Sequence, residues 1–306
     1  MNNNFTHHST WYHFNKDSGA VGACANTPLT CEIPEENHYS SANRARRAYS
    51  DYKDRSPLGR SSLKALTSGE LMSTFLREAR EVGFDEPLMQ RAGSFAKELH
   101  RGQFRFAPKW EKRPPYIVHP LRNAIRMIRW GVKDQDVILA GVLHDTIEDS
   151  SEKYCADRGI SYRDEAHART ILEERLRRDY GKRLAQITLA LSNPLQSPEF
   201  WGSLSDDEKH AVYVEHVREA IHDDQAVLLA KISDVYDNGA GLYHTAFPER
   251  ARQTRKQALK YTLLLPIFRE EFSRNPIGDP VVRNSVDKAL WMIQDRLEEI
   301  FSKHAE

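Results

Sequence analysis

Four ionisable residues close the most apolar run of the chain, Val142-Leu143-His144-Asp145-Thr146-Ile147-Glu148-Asp149. Carboxylates buried without partners are costly, and a bound cation is one way to make such a cluster tolerable. His144 and Glu148 are four apart, as are Asp145 and Asp149. On a helix continuing through Asp149 these pairs would form two neighbouring columns, one able to bind metal while the other positions water or substrate. Two further polar positions suit the same site. His119 lies in Pro115-Tyr116-Ile117-Val118-His119-Pro120, and Asp234 interrupts the apolar run Leu228-Leu229-Ala230-Lys231-Ile232-Ser233-Asp234. Taken singly, each has a plainer reading: His119 as a cap or surface residue, Asp234 as an ion-pair partner of Lys231 at helical spacing. Joined to His144 and Asp145, they read as a mixed nitrogen and oxygen donor set, suited to Mn, Fe, Co or Zn with geometry choosing among them.

The elements that must position these residues are helices. Ser68 caps a first helix bearing Leu71, Met72, Phe75 and Leu76, and Asp85 precedes a second with Leu88, Phe95, Ala96 and Leu99. A basic and aromatic loop from about Gly102 to Pro115 leads to a third helix, beginning near Pro120. Leu121, Ala124, Ile125 and Ile128 form its buried stripe, and Gly131 ends it. Asp134 opens a fourth helix running through about Glu148, apolar nearly all round and therefore central. After a polar loop, helices are expected over Ala166–Asp179, Leu184–Leu191, Asp206–Ile221, Gln225–Asp237, Pro248–Phe272 and Val281–His304. No run alternates like a strand, no segment repeats, and no glycine-rich phosphate loop occurs. The fold expected is all-α with no β-sheet core. Residues 1–65 form a polar extension expected to be disordered, 66–245 the domain carrying the site, and 246–306 helices packing on that domain.

The motif residues resemble a family. His144-Asp145-x-x-Glu148-Asp149 is similar to the HD-superfamily motif as it occurs in the RelA/SpoT alarmone hydrolases. Upstream, His100-x-Gly102-Gln103-x-Arg105 and Pro115-Tyr116-Ile117-x-His119-Pro120 resemble that family's hydrolase entrance; downstream, Lys231-x-x-Asp234-x-x-x-Asn238 resembles its last metal-binding segment. The four blocks occur in order across about residues 88 to 245.

This resemblance implies an HD-domain helical bundle around a single Mn²⁺, with another divalent transition metal as the alternative. It implies His119, His144, Asp145 and Asp234 as ligands, and Glu148 and Asp149 as the catalytic pair acting on the water that attacks the 3′-pyrophosphate of (p)ppGpp, the stringent-response nucleotide. It implies Arg105 and Asn238 as substrate contacts, whereas His100 is expected to support its loop. Metal would lower the pKa of bound water and polarise a phosphoryl oxygen, and Glu148 could accept a proton or orient the nucleophile. The chain departs from the family at the substrate side. Phe106 follows Arg105, and the loop Ala107 to Arg113 is longer. Val235 stands where a basic residue is usual, and Asp237 where His or Tyr is common.

Two other readings follow from those departures and from the polar extension. One is an HD phosphohydrolase for another phosphorylated nucleotide: a dNTP, a nucleotide monophosphate or NADPH. The other is a regulatory or antitoxin binding module with a structural metal. About sixty residues follow the Asp234 region, which leaves no room for a synthetase domain and points to a stand-alone hydrolase. Lysine plus arginine equals aspartate plus glutamate, 44 each in 306 residues, so no global field points to nucleic acid; the partner expected is a phosphorylated nucleotide. The Arg44, Arg46, Arg47 cluster reads as a solvated tail. Three cysteines, Cys24, Cys31 and Cys155, make no disulfide framework and read as reduced thiols. The first ten residues lack the apolar core of a secretory signal, and no apolar stretch is long enough to span a bilayer. A cytoplasmic location is expected.

Overall fold

The computed structural model describes residues 12–14, 21–24, 63–107, 113–245 and 250–303. The chain divides into two compact units, Met1–Leu66 and Thr67–Glu306.

In the first unit β1 (Tyr12–Phe14) pairs antiparallel with β2 (Val21–Ala23), Tyr12 opposite Ala23 and Phe14 opposite Val21. Among the described residues this is the only sheet. Three-residue strands are too short to register as alternation, which is why the sequence shows none. Arg44, Arg46, Arg47 and Cys31 lie outside the described residues.

Thr67, one residue before the expected cap Ser68, starts the helical unit. Its hydroxyl accepts from the Glu70 backbone N–H at 3.3 Å, and the Glu70 carboxylate accepts from the Thr67 backbone N–H at 2.8 Å. This reciprocal cap opens α1 (Ser68–Glu81). Asp85 accepts from the Leu88 N–H at 2.9 Å and opens α2 (Glu86–Leu99). The third helix, α3 (Val118–Trp130), begins two residues before Pro120 and ends on Gly131 at φ 94°, a left-handed position that glycine takes without steric cost.

The fourth helix departs from expectation. It is interrupted at His144 and Asp145, giving α4 (Gln135–Leu143) and α5 (Thr146–Asp157). The Thr146 hydroxyl donates to the Leu143 carbonyl at 2.6 Å, so a side chain satisfies one of the carbonyls left open at the break. The stretch after Glu148, expected as a polar loop, is thus helical to Asp157, with Tyr154 and Cys155 buried. Beyond it lie α6 (Glu165–Tyr180), α7 (Lys182–Leu191), α8 (Pro198–Ser203), α9 (Asp206–Ile221) and α10 (Gln225–Asn238). The single helix expected over Pro248–Phe272 is two, α11 (Ala251–Thr262) and α12 (Leu264–Arg274), broken at the exposed Leu263. The last is α13 (Pro280–Lys303).

The core lies where α3, α4, α7 and α10 pack together. Leu121, Ile125, Met127, Ile138, Leu139 and Leu143 are fully buried there. Gly141 sets the approach of α3 to α4: a Cβ on it would stand 2.3 Å from the Met127 methyl. Helix α13 packs on α3, α10 and α11, burying Val286, Leu290, Ile293, Leu297 and Ile300. No helix among the described residues is long and apolar enough to cross a membrane.

Candidate metal centre

Each expected ligand leaves a different element. His119 sits in the first turn of α3, His144 and Asp145 form the break between α4 and α5, and Asp234 lies on α10. One donor atom from each of His119, His144 and Asp234 falls within 4.8 Å of the others. Asp145 faces the same point: its Oδ2 is 3.6 Å from His119 Nε2 and 3.0 Å from His144 Nε2. Asp234 Oδ1 lies 3.2 Å and 3.7 Å from the same two nitrogens. Such separations match the edges of a coordination shell with bonds of about 2.1 Å.

The outer nitrogens fix the protons. His144 Nδ1 is 3.0 Å from the Gly141 carbonyl oxygen, which can only accept, so Nδ1 carries the hydrogen. His119 Nδ1 is 2.8 Å from Asp237 Oδ2, again an acceptor. With the Nδ1 hydrogens so placed, each ring can turn an Nε2 lone pair toward two carboxylate oxygens. The Asn123 amide, 3.4 Å from His119 Nε2, can donate to that lone pair. His144 Nε2 is buried with no hydrogen-bond partner in acceptable geometry. Four donor atoms, two imidazole nitrogens and two carboxylate oxygens, converge in the arrangement a divalent cation fits.

The electrostatics agree. Burial alone would lower the His144 imidazole, but the Asp145 and Asp234 carboxylates hold it up at about 10. Burial would raise Asp145, yet the neighbouring histidines keep it well below the usual carboxylate range. Asp234 is likewise depressed, against the cost of burial, by Lys231 and the two histidines. The cluster draws positive charge, which a divalent cation would supply.

No family model matches the chain. It is 28% identical over 194 residues to a guanosine-3′,5′-bis(diphosphate) 3′-pyrophosphohydrolase of Aquifex aeolicus, covering 63% of this chain and 22% of that protein. It is 39% identical over 71 residues to a protein of the same name from Xenopus tropicalis, covering 23% of this chain and 38% of that one. A probable pyrophosphohydrolase of Mycoplasma pneumoniae is 33% identical over 89 residues, 28% of this chain and 11% of its own length. Over part of its length the chain is similar to guanosine-3′,5′-bis(diphosphate) 3′-pyrophosphohydrolases. It spans about a fifth of the length of the Aquifex relative.

Around this pyrophosphohydrolase-like centre, second contacts hold the donors. The Tyr116 hydroxyl donates to Asp145 Oδ2 at 2.8 Å, and the Asn238 amide donates to Asp234 Oδ1 at 2.7 Å. Arg105 in turn donates to Asn238 Oδ1 at 2.7 Å, which joins the two expected substrate contacts to each other and to the metal side. His100 lies at the base of the loop, its Nδ1 2.6 Å from Gln103 Oε1 and its ring 4.8 Å from that of Tyr116. Arg113 donates to the Arg105 and Phe104 carbonyls at 3.3 and 3.4 Å, and Arg101 is exposed. Lys109 and Lys112 lie outside the described residues.

The break after Leu143 means that Glu148 and Asp149 project from the first turn of α5 rather than continuing α4. Glu148 accepts from the Asn193 backbone N–H at 2.9 Å and from its side-chain amide at 2.9 and 3.0 Å. Asp149, the next residue, is exposed. Loss of water around its carboxyl, then the charges of Asp145 and Glu148, push it up to about 7.

Asp237 is not on the substrate side, where its departure from the family pattern would put it. It is 1% exposed. Its Oδ2 accepts from His119 Nδ1 and Arg122 Nη2, both at 2.8 Å, and its Oδ1 from Arg122 Nε at 2.8 Å and Arg126 Nη2 at 3.2 Å. Four donors fill the carboxylate, so it has no acceptor left for a nucleotide. The sequence carries a signal for this: Arg122 and Arg126 stand four apart inside the buried helix α3, and two guanidiniums there require a buried acid. Asn193 carries no such signal.

Proposed function

We propose that this chain hydrolyses the 3′-pyrophosphate of (p)ppGpp or a closely related alarmone, with Mn²⁺ as its divalent metal, in the cytoplasm. The observation that carries this reading is the convergence of two imidazole lone pairs and two carboxylate oxygens beside Glu148 and Asp149, in a chain related to enzymes of that name. The catalytic region is 66–245, with 246–306 packed on it and 1–65 as an appended extension.

His119, His144, Asp145 and Asp234 would hold the metal, which when bound acidifies water and polarises a phosphoryl oxygen. The chain's own groups do the rest. Arg105 and Asn238 hold the nucleotide. Glu148, fixed by Asn193, orients the attacking water, and Asp149 exchanges its proton. The water oxygen bonds to the phosphorus next to the ribose and the O3′–P bond breaks. O3′ takes a proton and pyrophosphate leaves. Such a transfer depends mainly on positioning and charge stabilisation.

The test is a panel of ppGpp, pppGpp, ppApp, dNTPs, nucleotide monophosphates and NADPH with Mn²⁺. Turnover led by the 3′-pyrophosphorylated nucleotides supports the reading. Turnover confined to the others replaces it with a different phosphohydrolase activity.

A further inference from the structure

Beside the metal centre lies a cation that the hydrolytic machinery leaves unused. Lys231 Nζ stands 3.5 Å from Asp234 Oδ2, donates to the Leu191 carbonyl at 3.2 Å, and lies 5.9 Å from the centre of the Tyr213 ring. Against the same ring, at 3.6 Å from its centre, sits the ammonium of Lys260. The Tyr261 ring is 5.6 Å from that ammonium. Lys260 and Tyr261 come from α11 and Tyr213 from α9, so two helices that contribute no metal ligand enclose one charge beside the metal side.

This placement is built. Tyr261 lies against Gly239, the residue after Asn238; a Cβ there would stand 3.2 Å from Tyr261 Cβ and 2.8 Å from the Val235 carbonyl. Only a residue without a side chain lets α11 come this close to the end of α10. One turn before Tyr213, His210 is 7% exposed and its Nδ1 has no hydrogen-bond partner.

Lys260 is half-buried. Among the described residues no carboxylate pairs with it, whereas its neighbour Lys256 pairs with Asp206. An aromatic face stabilises an ammonium by about 0.5–2 kcal/mol, which does not replace an anion. Burial and then the charge of Lys231 lower its pKa, by more than the carboxylates of Asp234 and Glu148 raise it.

We infer that Lys260, caged by Tyr213 and Tyr261, is a seat for a phosphate group of the bound nucleotide and so helps to set which phosphorylated nucleotide the chain accepts. The inference rests on the proposed function for the nature of the ligand. An oxyanion would complete the charge that the described carboxylates leave unpaired, at the ring of Tyr213 that Lys231 also approaches. It would suit a nucleotide with phosphates at two positions, one group at the metal centre and another at Lys260.

The test uses guanosine 3′,5′-bisphosphate, which has both phosphates and no pyrophosphate bond to cleave, titrated calorimetrically into the Mn²⁺-loaded full chain. Lys260→Gln is expected to weaken binding about tenfold or more, the scale of a lost charge-assisted hydrogen bond. Lys260→Arg, which restores a cation, is expected to bring affinity back to within about threefold of wild type. Equal affinity of the wild type and the Gln variant would overturn the inference. A wild type that binds the bisphosphate in this pattern but never turns over ppGpp would remove the alarmone reading and leave the seat in place.

Discussion

Asp237 Oδ2 accepts the hydrogen of His119 Nδ1 at 2.8 Å, and the same carboxylate is gripped by Arg122 and Arg126. A helix α10 residue thereby fixes the ring angle and tautomer of a ligand on helix α3. Arg126 adds hydrogen bonds to the Ser233 carbonyl at 3.0 Å and hydroxyl at 3.2 Å, so the two helices are tied one residue from Asp234. Partners of metal-binding histidines commonly contribute about 10–100-fold in metal affinity. Asp237→Asn is expected to weaken Mn²⁺ binding by that order in calorimetry. Unchanged affinity would show that the ring is held by packing alone.

Glu148 depends on Asn193. Asn193→Ala removes the side-chain amide bonds but leaves the backbone N–H. The expected result is a roughly tenfold lower kcat, as for loss of a charge-assisted hydrogen bond worth about 1.5 kcal/mol, with Mn²⁺ affinity within twofold or so of wild type. A fall in metal affinity equal to that in kcat would place Asn193 in support of the ligands instead.

Metal should stabilise the fold, because the four donors converge only in the folded chain. At about 100 times its dissociation constant Mn²⁺ contributes roughly 2.7 kcal/mol, which raises Tm by several degrees in a chain of this size. EDTA should reverse the shift, and His144→Ala should abolish it. Equal shifts in wild type and variant would mean that the ion binds elsewhere.

Gly239 should tolerate no side chain. Gly239→Ala sets a methyl against the Val235 carbonyl and Tyr261, and overpacking of this kind costs about 1–3 kcal/mol. Thermal unfolding should occur several degrees lower. An unchanged Tm would mean that α11 shifts away at no cost.

Acid should loosen the start of α4. Arg183 donates to Asp134 Oδ1 at 2.8 Å and to Asp136 Oδ2 at 3.2 Å. The Arg183 hydrogen bonds hold the Asp134 carboxyl below its ordinary value, against a smaller effect of burial. A depressed carboxyl contributes stability that is full above its unfolded pKa, about 3.9, and is lost as pH falls through the folded value. The Tm difference between wild type and Arg183→Ala should therefore hold from about pH 8 to 5 and shrink below about pH 4. A difference growing toward acid would contradict this.

The sequence makes the helices and the His144-Asp145 pair legible, because apolar periodicity and adjacent ionisable residues are local patterns, whereas His119 and Asp234, far from that pair in the chain, join it only through the motif blocks. It hides the break at His144 and Asp145, because no glycine or proline stands between Leu143 and Ile147 to mark it. It hides Asn193 and Lys260 as well, since their partners stand 45 residues away on Glu148 and 47 on Tyr213. Asp237 is legible only as a departure from the family pattern, which points to the substrate side, whereas its carboxylate is buried against His119, Arg122 and Arg126. Its partners, Arg122 and Arg126, lie more than a hundred residues away, and only the packing of α3 on α10 joins them.

The most direct measurement is incubation of the purified chain with ppGpp and Mn²⁺, followed by resolution of the products, with Asp145→Ala alongside. Release of GDP and pyrophosphate by the wild type, lost in the variant and on chelation, is the predicted result. Intact ppGpp after incubation with a wild type shown to have bound Mn²⁺ would contradict it.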